Sequence, residues 1–184
     1  MKVEPTSIPG CYVMEATVYQ DNRGQFREWF NSDQFEALVG RKFTFSQANV
    51  SQSNKGAIRG IHYSLGKNGQ SKLITCTAGS IWDVVVDLRI DSLTFGKWIS
   101  IELNYQDGKA LFVPEGLGHG FQAISHDATV TYLLSTSYDP NVESEINPYD
   151  SDLGIKWPLK DAILSIKDQS APSLCSQRKN GLLP

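Results

Sequence analysis

Short apolar runs, each cut off by a turn signal, constrain this chain more than any other feature. Residues 72–76, 81–88, 98–103, 110–113, 120–124 and 129–135 are such runs. Between them stand Gly79, Asp107-Gly108, Pro114-Glu115-Gly116 and His126-Asp127, residue types that favour turns because they tolerate or preset unusual backbone angles. Strands at this spacing predict an all-β sandwich or barrel. The exception is residues 31–40, where Asn31 or Ser32 supplies a cap, Phe35, Leu38 and Val39 an apolar stripe, and Gly40 a stop. That pattern predicts a helix.

Residues 43–51 alternate, and one parity carries Phe43, Phe45, Gln47, Asn49 and Ser51. A strand face that passes from aromatic to polar suits the inside of a barrel holding a polar ligand. The predicted fold is therefore all-β, a cupin-type jelly-roll barrel with short peripheral helices, the less regular C-terminal part packing over it. With 184 residues the chain is long enough for one substantial core and short for two, so residues 1–184 read as a single domain. No internal repeat, low-complexity segment or linker interrupts it.

The net charge of −3 argues against a general nucleic-acid or membrane-surface binder. An anionic small molecule needs only a few local Arg and Lys residues. Cys11, Cys76 and Cys175 are odd in number and widely spaced, which suits neither a disulfide framework nor a zinc cluster and points to a reducing cytoplasm. The first ten residues lack an apolar signal core, and no run approaches membrane-spanning length.

Chemistry concentrates between Gln47 and Lys72. Arg59, His62 and Lys72 stand close together there, a cation, a possible base and a possible oxyanion stabiliser on neighbouring strand segments. The set suits proton transfer beside a carbonyl of an anionic substrate. His62 shares parity with Gly60 and Ser64, a lightly packed face with room for a ligand. Taken singly, His62 reads more readily as a structural histidine than as a catalyst, and Lys72 equally as a solvated strand end or a functional cation. Tyr132 shares parity with Val130 and Leu134 and so points inward; core tyrosine and proton donor are both open to it. Asp21-Asn-Arg-Gly-Gln-Phe-Arg-Glu28 reads as a solvated hairpin whose Arg23 has the planar guanidinium that grips phosphate.

Pro114-x-Gly116-x-x-His119 resembles the second histidine motif of metal-binding cupins. Those proteins also need His-x-His and a Glu, whereas here His62 is followed by Tyr63 and Ser64 and no Glu follows at suitable spacing. With three histidines in the chain, one of them (His126) in a predicted turn, no metal site is expected.

Jointly, the motifs resemble the dTDP-4-dehydrorhamnose 3,5-epimerase family over nearly the whole chain. The matching residues run from Asp21–Phe30 through Gln47-x-Asn49-x-Ser51-x-Ser53, Arg59-Gly-Ile-His-Tyr63, Gln70-Ser-Lys-Leu, Asp83-Val-Val-Val-Asp-Leu-Arg89, Asp91-Ser-Leu-Thr-Phe-Gly96 and Val113-Pro-Glu-Gly-Leu-Gly-His-Gly-Phe121. They continue with Tyr138-Asp-Pro, Gly154-Ile-Lys-Trp-Pro158 and Leu164-Ser-Ile-Lys-Asp168.

The resemblance implies a cupin-type homodimer acting on a dTDP-4-keto-6-deoxyhexose without metal or redox cofactor. It implies His62 as the base beside the C4 ketone, held by Asp168, with Lys72 stabilising the enolate and Tyr132 returning a proton from the opposite face. Arg23, Arg59 and Lys167 would hold the diphosphate, and Tyr138 would stack on the base. Glu28, Gln47, Asn49, His119 and Glu143 would complete the pocket, some of them from the partner subunit. Ser64 stands where the family commonly has Gln, and the C-terminal residues 178–184 are similar to relatives that make unusual deoxysugars. Epimerisation at C3 alone or C5 alone is thus the nearest alternative to inversion at both. A metal-dependent cupin oxygenase or isomerase and a non-catalytic sugar-binding barrel are the readings from other classes. The chain has no glycine-rich dinucleotide fingerprint, and moving a proton needs no hydride acceptor.

Overall fold

The computed structural model describes residues 1–66 and 69–184. Its strands follow in chain order as β1 (Lys2–Pro5), β2 (Tyr12–Glu15), β3 (Tyr19–Asp21), β4 (Gly24–Phe26), β5 (Gln47–Ser53), β6 (Ile58–Ser64), β7 (Lys72–Ala78) and β8 (Ser80–Asp87). They continue as β9 (Trp98–Asn104), β10 (Lys109–Val113), β11 (Leu117–Ala123), β12 (Ala128–Leu134) and β13 (Glu143–Glu145). Three helices, α1 (Ser32–Val39), α2 (Ile166–Gln169) and α3 (Leu174–Lys179), accompany them among the described residues. The same residues contain no helix long and apolar enough to cross a membrane.

Two antiparallel sheets make the jelly-roll barrel. One runs β1-β2-β10-β7-β12-β5 and the other β13-β6-β11-β8-β9; β3 and β4 form a separate hairpin. Strand alternation sends one set of side chains between the sheets, where Ile74, Cys76, Ile81, Val85, Leu111, Phe121 and Val130 form the inner core. The opposite set is also buried, because each outer face has a cover. Residues from the C-terminal region, among them Ile146, Leu153 and Leu174, pack with Tyr63, Val84 and Val86. On the other side Phe35 of α1 packs with Phe43, Leu73 and Phe112, its ring centroid 4.9 Å from that of Phe112.

The helix at residues 32–39 forms as its end signals predict. Asn31 accepts the Gln34 N–H through its side chain, and Gly40 closes the helix in the left-handed conformation with φ 72°. Its apolar stripe is narrower than expected, since Phe35 is buried but Leu38 is 55% exposed. The aromatic start of the alternating segment also differs from expectation. β5 begins only at Gln47; Phe43 turns to the outer cluster under α1 and Phe45 is exposed. Gln47, Asn49 and Ser51 keep the alternation and are half-buried. The C-terminal cover holds two short helices rather than one, and β1, β2 and β13 are strands that the sequence pattern did not single out.

Candidate active site

Between the two sheets lies a cavity of about 580 Å³, within the usual range for a small-molecule site. The five-stranded sheet supplies Arg59, His62, His119 and Glu143; the six-stranded sheet supplies Gln47, Asn49, Lys72 and Tyr132. Lys167 and Asp168 enter from α2, and Tyr138 from the segment after β12. Thus eleven of the thirteen residues expected at the site line one cavity. His62 and Lys72, expected on neighbouring strand segments, stand on opposite sheets.

β6 carries a bulge that decides which side chains reach this space. Along β11, His119 pairs with His62 and Phe121 pairs with Arg59, so three steps on β6 match two on β11. A regular strand would turn Arg59 and His62 to opposite faces; the extra residue turns both inward. Gly60 makes this possible. It has φ 132°, and a Cβ there would stand 2.5 Å from the Gly120 Cα and 2.8 Å from the His119 carbonyl oxygen. Arg59 is then held by hydrogen bonds to the Ser53 hydroxyl and the Gln52 carbonyl.

His62 Nε2 lies 2.7 Å from Asp168 Oδ1. The His62 side chain is 40% accessible and the Asp168 side chain 5%, so the carboxylate is sealed and the ring faces the cavity. Burial would raise the Asp168 pKa, but hydrogen bonding and charge from His62, the Ser165 hydroxyl and Lys167 outweigh it, and the group stays below its ordinary range. The Ser165 side chain caps α2 by accepting the Asp168 N–H at 3.0 Å. The bridge between Ala57 and Ile163 ties the preceding segment to the start of β6.

Lys72 is buried rather than a solvated strand end. Burial pulls its ammonium below the ordinary lysine range, and the charge of Glu143 acts in the other direction. Its Nζ donates to Gln70 Oε1 at 3.0 Å, and the Gln70 amide donates to Thr136. Glu143 is itself raised by burial, with Lys72, His62 and Lys167 opposing the shift. Tyr132 stands opposite Asn49 on β5 and Ile74 on β7, one residue pair from Lys72 and Leu134 along the inward face. Gln47 donates to Asn49 at 2.9 Å and accepts the Tyr138 N–H at 2.8 Å. Lys167 pairs with Glu145 at 3.0 Å.

Arg23 and Glu28 are not brought to this cavity within one copy of the chain. Arg23 lies in the β3–β4 hairpin with its side chain 86% accessible and paired to Asp21. Glu28 is exposed beyond β4. The hairpin is tied down at Gln25 and Arg27, which donate to the Tyr105 carbonyl, and Tyr105 is not a cavity residue.

Gln70 and Asp83 belong to the site without having been assigned a role from sequence. Gln70 lines the cavity, and Asp83 accepts from or shares a proton with His119 Nε2 at 2.8 Å. The signal for Asp83 was a carboxylate on the inward parity of an apolar strand, with Ile81 and Val85 on either side. Among the described residues no three His, Cys, Asp or Glu side chains converge in a way that would hold a metal ion.

A family model described as dTDP-4-dehydrorhamnose 3,5-epimerase matches residues 5–176. The chain belongs to the dTDP-4-dehydrorhamnose 3,5-epimerase family. A dTDP-4-dehydrorhamnose 3,5-epimerase of Mycobacterium tuberculosis is 41% identical, the match covering 100% of this chain and 93% of the relative. The crystal structure of NovW, a 4-keto-6-deoxy sugar epimerase of Streptomyces spheroides, superposes with a TM-score of 0.98 at 42% identity, covering 100% of this chain and 92% of that one. ChmJ, a 3'-monoepimerase from Streptomyces bikiniensis solved with dTDP-quinovose, has a TM-score of 0.94 at 41% identity, with 98% and 91% of the two chains covered.

Proposed function

We propose that this chain is an isomerase that converts dTDP-4-dehydro-6-deoxy-D-glucose to dTDP-4-dehydro-L-rhamnose by inverting C3 and then C5 or the reverse. The observation that carries the reading is the placement of the His62–Asp168 pair on one sheet side of the cavity with Tyr132 and Lys72 on the other. Asp168 engages Nε2, which leaves Nδ1 to take the proton on a carbon beside the C4 ketone. The electron pair moves to the C4 oxygen, where the Lys72 ammonium stabilises the enolate. Tyr132 then delivers its hydroxyl proton to the opposite face of that carbon. Water restores the two side chains, and the same steps invert the second carbon. No electron leaves the substrate, so the reading requires no redox cofactor, and with the Lys72 ammonium stabilising the enolate it requires no metal.

Arg59 and Lys167 hold the diphosphate, and Tyr138, 59% exposed at the rim, stacks on the base. Gln47, Asn49, His119 and Glu143 contact the sugar and nucleotide. Arg23 and Glu28 reach the cavity of a partner subunit, so the working unit is a homodimer of single-domain chains spanning residues 1–184, located in the cytoplasm.

Inversion at one carbon is the second reading, favoured by the similarity to a 3'-monoepimerase and by Ser64, which lies buried opposite Glu143. Turnover of the keto-sugar nucleotide in D2O, followed by NMR, separates the two. Deuterium at C3 and C5 supports the double epimerase, and deuterium at one carbon supports the second reading. An absence of exchange from several 4-keto-sugar nucleotides would overturn both.

A further inference from the structure

Behind the cavity wall sits a second carboxylate–imidazole pair, built differently from the first. Asp83 is 1% exposed, and its cross-strand neighbours are Phe121 and Ile101. Oδ2 meets His119 Nε2 at 2.8 Å, while Oδ1 is a buried oxygen without a partner among the described residues. A carboxylate so placed has one group to balance its charge. Burial pushes the Asp83 carboxyl upward, and His119 alone opposes that shift.

Two proton arrangements leave the pair without net charge. In one, a carboxylate faces an imidazolium. In the other, a carboxylic acid donates to Nε2 of a neutral ring whose proton is on Nδ1. Both put a proton on Nδ1. The remaining arrangement, a carboxylate facing a ring protonated only at Nε2, turns Nδ1 into an acceptor but strands a negative charge in the interior. His119 Nδ1 has no bond within the chain among the described residues and is not among the sealed polar atoms. The ring lines the cavity on the strand directly opposite His62.

We infer that Asp83 is a positioning residue that fixes His119 as an obligate Nδ1–H donor toward a substrate oxygen. The two histidines then do opposite work. Asp168 has Lys167 and the Ser165 hydroxyl to support its charge besides His62, and in the epimerase reading His62 is the group that accepts the proton. Asp83 has no such support, and His119 cannot serve as the base. This assignment rests on the epimerase reading only for the identity of the oxygen that His119 meets.

The test uses 15N-histidine-labelled protein carrying His126→Gln, which removes an exposed ring and leaves two. In the free protein near neutral pH, His119 Nδ1 should show a directly bonded proton and His62 Nδ1 should not, with His62→Asn assigning the signals. Asp83→Asn, whose amide can donate to Nε2, should keep that Nδ1 proton. Asp83→Leu should lose it and lower kcat by roughly 10²-fold, the effect of removing one donor to developing negative charge, with KM changed far less. An unprotonated His119 Nδ1 in the protein with Asp83 intact overturns the inference. So does an Asp83→Leu protein that folds and turns over undiminished. The ring measurements need no sugar nucleotide, so their failure is distinct from an absence of C–H exchange, which would sink the epimerase reading instead.

Discussion

Asp168 meets His62 at 2.7 Å although 106 positions separate them in the chain. The contact sets which ring nitrogen faces the cavity. Asp168→Asn should lower kcat roughly 10²- to 10⁴-fold, the range for a positioned acid–base group, while KM changes little. The backbone bond from Asp168 N–H to the Ser165 hydroxyl does not depend on the carboxylate, so thermal stability should be nearly kept. Single-turnover measurement of deuterium wash-in checks this; a rate within threefold of the unsubstituted protein would contradict the role.

Gln70 holds the Lys72 ammonium at 3.0 Å and is itself anchored on Thr136. Replacing it with Leu frees Lys72 Nζ and removes a directed contact beside the developing enolate. Turnover should fall about tenfold and that of Lys72→Met by 10²- to 10³-fold, in line with losses of oxyanion-stabilising donors. Steady-state kinetics on both variants decides it. Equal activity of Gln70→Leu and the unsubstituted protein would show that the amide does not orient the lysine.

Much of this site was legible before any coordinates. Alternation in residues 129–135 and 47–51 turned Tyr132, Gln47 and Asn49 inward, and the structure keeps them there. Lys72 could not be settled, because a lysine at a strand start looks the same whether it ends in solvent or under a second sheet. Arg59 with His62 eluded parity altogether. A bulge spends one residue without pairing it, and nothing at Gly60 announces that except a glycine whose close neighbour, Gly120, is far away in the chain. Asp83 went unassigned because its partner, His119, lies two pairs along a different strand.

Gly60→Ala follows from the same geometry. The added methyl would meet Gly120 Cα at 2.5 Å, and the φ of 132° suits few side chains. β6 and β11 must separate between Arg59 and His62. Stability should drop by about 1–3 kcal/mol, as for overpacking a tight site, and kcat should fall more than the residual folded fraction explains. Denaturant titration beside kinetics measures both; a variant as stable and active as the parent would refute the close-approach account.

Asp87 is buried, yet the hydrogen bonds from Arg89, Ser92 and Thr94 outweigh burial and hold its carboxyl at about 2. A carboxyl depressed in the folded state adds stability above its unfolded pKa and loses it as the pH falls through the folded value. Relative to Asp87→Asn, the protein should therefore gain about 2 kcal/mol at pH 7, roughly half of that at pH 3, and almost nothing at about pH 1. At pH 7 this corresponds to a Tm difference of about 5 °C. Calorimetry at pH 7 and pH 3 reads the change; a gap that widens on acidification would reverse the sign.

The tether of Ile163 to Ala57 and the cap on α2 have a further consequence. His62, Lys72 and Tyr132 all belong to strands made by residue 134, whereas the carboxylate that primes His62 lies beyond the last strand. During synthesis from the N-terminus the barrel strands therefore emerge before the base has its partner. Competence is acquired late, when the closing segment docks, and a chain halted after β13 would carry a cavity with an unprimed histidine.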